Sequence, residues 1–500
     1  MGDSTSSKLS RRNFIQASML AGAAPVLLAA GPVRAADAKE AQDAKDQNKQ
    51  DTKGGQTVTL AAYGAALRYE DIPPAVLQRA KDCMTDAAAT IIYGAELPWS
   101  KMIIAYARAN GSGGKSQILG SGTKPVHPPA AALAQGAMTH AFELDNLTKP
   151  DSGAHPGATL FSSGLAISQD RGFGGRALLA AFVAGAEVMI RIGYATKHTN
   201  EERGFHAPGT TGPFGAAVTV GHLLGFDAGH MTNALGVAGS CSGGLLAFAH
   251  AGNGAMVKRL HLGRAAEGGV LAASLAAEGF TGPSTVLEGE GGFLRAFCPD
   301  WDLAELTRGL GSTYESMNIM IKRYACHITA HTPVEAMLDL RKTNGFVAGD
   351  IASIVVAGSP RMATVNNIPA PADALLAQFS IPFCVALSMY RNPVDPRAFD
   401  ENVAHNEQIL ALTRKVTMTI APGQNNNDLA STVTVKLNDG REFSSHVTAF
   451  SGTPERPLDR AGLKEKFMLL TRSHPEKAMA KLFDRLQAIE TEPDLNWLRV

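Results

Sequence analysis

Pro128-Pro-Ala-Ala-Ala-Leu-Ala-Gln-Gly-Ala-Met-Thr-His-Ala-Phe142 runs into Glu143-Leu-Asp-Asn-Leu-Thr-Lys-Pro-Asp-Ser-Gly-Ala-His-Pro-Gly157, which runs into Ala158-Thr-Leu-Phe-Ser-Ser-Gly-Leu-Ala-Ile167. The outer segments are small and apolar with helical spacing, and a Pro-Gly break sets off the second. The middle segment gathers acids, hydroxyls, a lysine and a histidine between them. Titratable groups at the ends of two helices share a crevice, where burial and helix dipoles tune them. The alternative is a solvated loop between two core helices. Three similar islands favour a site: Gly204-Phe-His206-Ala-Pro208, Val257-Lys258-Arg-Leu-His-Leu-Gly-Arg264 and Lys322-Arg-Tyr-Ala-Cys-His327.

The chain has 500 residues, more than one hydrophobic core commonly serves. Lys plus Arg and Asp plus Glu each number 46, so no global field draws it to nucleic acid or a membrane surface. Its 51 glycines and 6% aromatic content suit helices packed through small residues. Five scattered cysteines without a C-x-x-C pair indicate neither a disulfide framework nor a zinc ribbon. Cys326, beside His327, is the one candidate thiol, and buried packing is the commoner role for a free cysteine.

Ser10-Arg-Arg-Asn-Phe-Ile15, a modestly apolar Ala17 to Ala30 and the exit Val33-Arg-Ala35 read as a twin-arginine signal cleaved near Ala35. The expectation is a periplasmic or secreted mature chain, delivered folded by the Tat machinery. Residues 36–56 are polar and charge-mixed, as in a disordered linker. No other stretch reads as long and apolar enough to span a membrane.

From Thr57 to Ser316 the pattern is helix, turn, helix, with segments Ala75–Tyr93, Gly175–Ala195, Pro213–Leu224, Met231–Gly239 and Arg264–Glu278. Residues 317–455 carry β-branched runs, Ile351–Ala357, Lys415–Ala421 and Ser431–Lys436, with a hairpin signal at Asn438-Asp-Gly440. Residues 456–500 return to amphipathic helix. The fold class is therefore mainly α with an α+β part, a large helical domain carrying a smaller inserted lid domain that the C-terminal helices rejoin.

These islands, in order, resemble the motifs of the MmgE/PrpD family, which includes 2-methylcitrate dehydratase, cis-aconitate decarboxylase and iminodisuccinate epimerase. Leu67 to Lys81 with Asp86 resembles the family's opening. His140-Ala-Phe-Glu-Leu-Asp145 with His155-Pro-Gly157, Gly204 to Gly215, Met256 to Ala266, Gly282 to Phe293, and Lys322 with His327 and His331 resemble elements that follow. The resemblance spans residues 57 to 495 and implies a homodimer, no metal or organic cofactor, and a small di- or tricarboxylate substrate.

Carried over residue by residue, it implies a site of His155, His327, Lys258, Lys322 and His206 as the catalytic set. Glu143, Thr148, Arg264, His331 and Phe383 stand as substrate-binding candidates. The shared difficulty of such reactions is a carbanion beside a carboxylate, which needs fixed cations and donors in a water-poor crevice. Histidines suit the proton transfers and lysines the carboxylates, with protonatable histidines adding charge. His261 reads as a core histidine, and Arg259 and Arg323 as solvent-facing. Three departures bear on the reaction: Glu143 replaces the usual Asp, Asn146 replaces an acid, and Phe383 stands where many members have Tyr. The expected function is a lyase, dehydratase or decarboxylase, acting on a citrate- or aconitate-like acid. Alternatives are an epimerase moving an α proton and a non-catalytic periplasmic polycarboxylate binder.

Overall fold

The computed structural model describes residues 55–149, 152–250 and 255–500. The twin-arginine signature, the cleavage site and the linker read from the sequence lie outside the described residues. The principal helices are α1 Gln56–Ala66, α2 Pro74–Gly94, α3 Pro98–Asn110, α4 Pro128–Thr139, α5 Ser162–Arg171, α6 Gly175–Ala195, α7 Ala207–Leu223, α8 Ala228–Gly239 and α9 Val257–Ala277. After them come α10 His331–Asn344, α11 Ile381–Leu387, α12 Arg460–Leu470 and α13 Glu476–Gln487. The strands are β1 Ser112–Ser116, β2 Leu147–Thr148, β3 Ile319–Met320, β4 Ile351–Gly358, β5 Val416–Ile420, β6 Ser431–Leu437 and β7 Glu442–Val447. The molecule is mainly α with an α+β part.

Proline opens α2, α3 and α4 in the first turn, where its missing N–H has no intrahelical partner to lose. α4 and α9 then cross at glycines: a Cβ on Gly263 would lie 2.4 Å from the Leu133 carbonyl oxygen, and one on Gly136 2.8 Å from that of Leu262. This close approach seats the first turn of α9, with Lys258, beside the chain leaving α4.

Three of these helices begin three to seven residues before the positions read from the sequence. α7 starts at Ala207 and carries Pro213 inside it. The Gly209 carbonyl, which Pro213 cannot satisfy, instead accepts the N–H of Gly243 at 3.2 Å. α8 starts behind its Asp227 cap, and α9 starts at Val257, which places Lys258 on a helix. The sequence reading places α6 but finds no further stretch long and apolar enough to cross a membrane, whereas this helix meets that test by length and composition. Of its most apolar window 89% is buried within the molecule, as expected of a core helix.

In the α+β part the sheet order is β5-β4-β6-β7, with β4 parallel to β5 and antiparallel to β6. The β6–β7 hairpin turns at Asn438-Asp-Gly440, where Gly440 takes φ 92°. Val433, Val435 and Leu437 on alternate positions of β6 are buried, the period of a sheet with one covered face. One apolar core runs from Leu60 to Leu498 and takes in both parts.

The C-terminal helices return to the first ones through a buried ion pair. Lys466 on α12 donates to Asp86 on α2 at 2.5 Å and to the Leu144 carbonyl at 2.8 Å, with both side chains almost fully buried. Lys466→Met leaves the Asp86 carboxylate buried without its cation, so we expect a loss of about 3–5 kcal/mol in unfolding free energy, read by chemical denaturation.

Candidate active site

The chain leaving α4 carries the site. Glu143 adopts φ 55°, a left-handed conformation disfavoured for a residue with a side chain. Its carboxylate is 2% exposed and accepts Nζ of Lys258 and, at 3.1 Å, Nζ of Lys322. Lys258 arrives on the first turn of α9. Lys322 arrives just past β3, which pairs with β2 in the register Leu147↔Met320 and Thr148↔Ile319. That short ladder ties the Lys322 segment to the same loop that bears Glu143.

Two residues further on, the fully buried Asp145 organises two imidazoles. Its Oδ2 accepts Nδ1–H of His140 at 2.9 Å and of His155 at 2.6 Å, and Lys322 Nζ lies 4.0 Å from Oδ1. Both rings are thereby held with Nδ1 protonated and Nε2 as the remaining proton-transfer atom. Asn146 fixes the loop behind them. Its Oδ1 accepts Gly157 N–H at 2.8 Å, and its Nδ2 donates to Asp86 at 3.0 Å and to the Cys83 carbonyl at 3.1 Å. A single π-helical turn, Gly157–Phe161, follows His155 and leads into α5, an irregularity frequent beside functional sites.

The cavity has a volume of about 640 Å³, and its inner end is lined by His140, Glu143, His155, His206, Lys258, Lys322 and His327. His206, at the N-cap of α7, packs against Phe248 and His261 with ring centroids 5.2 Å away in each case. His327 stacks on Phe379 at 5.1 Å, and its Nδ1 lies 2.9 Å from Thr329 Oγ1.

Charge at this floor is carried by lysines and carboxylates, and not by His140, His206 or His327. Burial alone would raise the Glu143 carboxyl, but the ammonium groups of Lys258 and Lys322 outweigh it and hold it well below the usual range. Burial pulls His140 down to about 4, and burial with the Lys258 charge holds His206 well below its ordinary value. Burial and the Arg361 charge do the same for His327. The expectation that protonated histidines help neutralise substrate is thus corrected: these three are neutral at pH 7. The lysines differ. Burial lowers Lys258 against the pull of Glu143, whereas Glu143 and Asp145 overcome burial and raise Lys322.

These depressed histidines give a pH prediction. Each is neutral when folded and protonates near 6.5 when unfolded, so the unfolded state binds more protons once pH falls below that value. Stability should therefore decline as pH drops from 6.5 toward 4, by up to roughly 1.4 kcal/mol per pH unit for each such histidine. Thermal melts across that range check it, and His206→Asn should flatten the slope.

Seven of the ten site residues expected from the sequence belong to the cavity wall or its immediate support. The five read from the sequence as the catalytic set line it, Glu143 lines it as the bridge between the lysines, and Thr148 lies just behind it. Thr148 is fully buried on β2, its hydroxyl paired with Ser152. Three are placed elsewhere. Arg264 lies six residues along α9 from Lys258 with a side chain 64% exposed and paired with Glu267. His331 is fully buried behind the wall, its ring 4.5 Å from Phe450 and its Nε2 accepting Tyr324 N–H at 3.3 Å. Phe383 is fully buried in the core on α11, so the missing tyrosine hydroxyl has no bearing on the cavity wall here.

Arg259 is also corrected, since it is 3% exposed, lies over Trp99 at 5.5 Å and lines the cavity. The sequence reading missed Asp145, His140, Arg361 and Phe379 as site residues. Asp145 and His140 stood within the quoted stretch, and the signal was the pair of histidines flanking one acid. Cys326 is buried and absent from the wall, so its thiol does not face a substrate.

His140, Asp145 and His155 could each offer one ligand atom to a metal ion, these atoms lying within 4.8 Å of one another. The same atoms already satisfy each other by hydrogen bonds, and the Lys322 ammonium beside Asp145 opposes a cation. The donor set therefore fits an acid/base array better than a metal centre.

Family models match two consecutive stretches, the MmgE/PrpD N-terminal domain over residues 58–306 and the MmgE/PrpD C-terminal domain over 324–488. The chain belongs to the MmgE/PrpD family. It is 29% identical over 477 residues to cis-aconitate decarboxylase of Aspergillus terreus (strain NIH 2624 / FGSC A1156), covering 88% of this chain and 94% of the relative. It is 26% identical over 424 residues to cis-aconitate decarboxylase of Homo sapiens, covering 82% and 86%. A cis-aconitate decarboxylase-like protein of Aspergillus oryzae (strain ATCC 42149 / RIB 40) is 26% identical over 475 residues, covering 89% and 97%. Within this family member, Lys258 and Glu143 come from the N-terminal match and His327 from the C-terminal one, while Lys322 lies between the two.

Proposed function

We propose that this MmgE/PrpD protein is a lyase that removes carbon dioxide or water from an aconitate- or citrate-like acid. The observation that carries this reading is the convergence of Lys258, Lys322 and the Asp145-held histidines on one end of a single cavity. A substrate carboxylate replaces Glu143 between the two ammonium groups, which then stabilise the negative charge that grows on the neighbouring carbon. Lys322, with its raised pKa, serves as the fixed charge. His155 Nε2 moves the proton, with its Nδ1–H held by Asp145. The named activity of the relatives supports this class.

The test is NMR of the purified protein with a panel of di- and tricarboxylates in deuterated water. Loss of carbon dioxide or formation of an alkene supports the lyase. Deuterium exchange without net conversion indicates an epimerase instead, and saturable binding without turnover indicates a binder.

The same reading takes the protein to be a homodimer exported by the twin-arginine route. The ordered signal features around Arg11-Arg12 support export. Changing both arginines to lysine should retain the precursor in the cytoplasm, and undiminished periplasmic delivery would contradict it.

A further inference from the structure

We infer that Gln378 is a positioning residue of this site: its amide holds the loop that bears Glu143 and the segment that bears His327 at a fixed separation. This rests on the lyase reading for what the two segments do and adds the residue that keeps them in register.

Gln378 sits between the short helical turn Ala374–Ala377 and α11, fully buried and behind the cavity wall. Its Nε2 donates to the Phe142 carbonyl at 3.1 Å and to the Ala325 carbonyl at 2.8 Å. Phe142 immediately precedes Glu143, and Ala325 stands just before Cys326 and His327. Both hydrogens of one nitrogen are thus spent on the two chain segments that carry the site. The main chain adds a third tie, since the Gln378 carbonyl accepts His327 N–H at 2.8 Å. Two carbonyls can only accept, so the amide is held with Nε2 toward them, and its Oε1 is left without a partner among the described residues. Packing alone does not call for an amide here, because an apolar side chain would fill the space without an orphaned oxygen.

The next residue extends the contact. The Phe379 ring stacks on the His327 imidazole at 5.1 Å and lies 4.8 Å from Lys258 Nζ. Lys322 has its own tie to the loop, through the β2–β3 ladder. His327 has no such tie: among the described residues no hydrogen bond joins residues 325–331 directly to residues 140–157, and Gln378 bridges them. A shift of about 1 Å between groups that act on one substrate can cost about 100-fold in rate, so a buried bridge at this point bears on turnover without touching the substrate.

The experiment is a double-mutant cycle of Gln378→Met and His327→Asn, read by steady-state kinetics on the acid that the carboxylate panel shows to be turned over. Gln378→Met should lower kcat by about 10- to 100-fold with KM within about threefold of the parent's. In the His327→Asn background the same change should alter kcat by less than about twofold, because the imidazole it positions is gone. Gln378→Glu, of nearly the same volume, has at most one O–H for two carbonyls and should show the same pattern. A folded Gln378→Met with near-parental kcat, or an equal loss in both backgrounds, overturns the assignment. NMR of the 15N-histidine-labelled, ligand-free protein gives a readout independent of turnover. Gln378→Met should move the ring signals that His327→Asn removes and leave those of His206 in place. If the parent turns over no acid, the lyase reading falls and this spectrum decides alone: unmoved His327 signals overturn the positioning role, and moved ones support it.

Discussion

Lys258→Met and Lys322→Met should each lower kcat by about 100- to 1,000-fold, the usual cost of removing one electrostatic donor to developing charge. Methionine keeps most of the stem's apolar bulk, so at Lys258 the packing against Phe248 and Phe379 is retained while the ammonium is lost. Each single variant still leaves Glu143 one cation, because its carboxylate contacts both lysines. The loss should appear in kcat and not only in KM, since the lysines grip charge that grows as the reaction proceeds. The double variant should fall by less than the product of the two singles, because both act on one carboxylate. Steady-state kinetics beside thermal melts check this, and folded single variants with near-parental kcat would refute it.

Asp145→Asn should cost about 100- to 10,000-fold in kcat with little change in volume. The carboxylate accepts from His140 and His155 through the same oxygen and so fixes which nitrogen of each ring faces the cavity. An amide oxygen in the place of Oδ2 is an uncharged, weaker acceptor for both rings and sets its NH2 group against the Lys322 ammonium near Oδ1, while the flipped amide offers N–H groups where acceptors are required. Either way the imidazoles lose the charge that fixes their tautomer and stabilises an imidazolium. A structural role alone would lower the melting temperature and leave the pH profile of kcat unchanged. A tautomer role moves that profile while substrate still binds, and the profile is the deciding readout.

Much of this architecture was legible in the residues. The helix of residues 175–195 and the strands at 351, 416 and 431 stand out because their apolar periods are regular and their ends are punctuated by turn residues. α7 was read six residues short because Pro213 looks like a helix start, and only a tertiary contact from Gly243 lets it sit inside one. The pairing of Glu143 with Lys258, 115 residues away, has no local signal at all.

The misplaced site residues have a common cause. At about 100° per residue, six positions along α9 carry Arg264 off the face that Lys258 presents, although both fall in one motif. His331 follows His327 by four residues, but a 3-10 turn at Ile328–Ala330 precedes α10, so the helical spacing does not apply between them. Asp145 was passed over because its importance lies in its partners, five residues before it and ten after, and no periodicity joins those positions.

The most direct test of chemistry at this floor is the fate of cis-aconitate in deuterated water, followed by proton NMR with the parent protein and with Asp145→Asn. The parent should convert the acid, by loss of carbon dioxide or by addition of water in the reverse of a dehydration, with one solvent deuteron placed on carbon in the product, and the variant should be slower by the factor given above. An acid that stays intact and unlabelled in the presence of folded, ligand-bound parent protein, or parent and Asp145→Asn converting it at equal rates, would contradict the assignment.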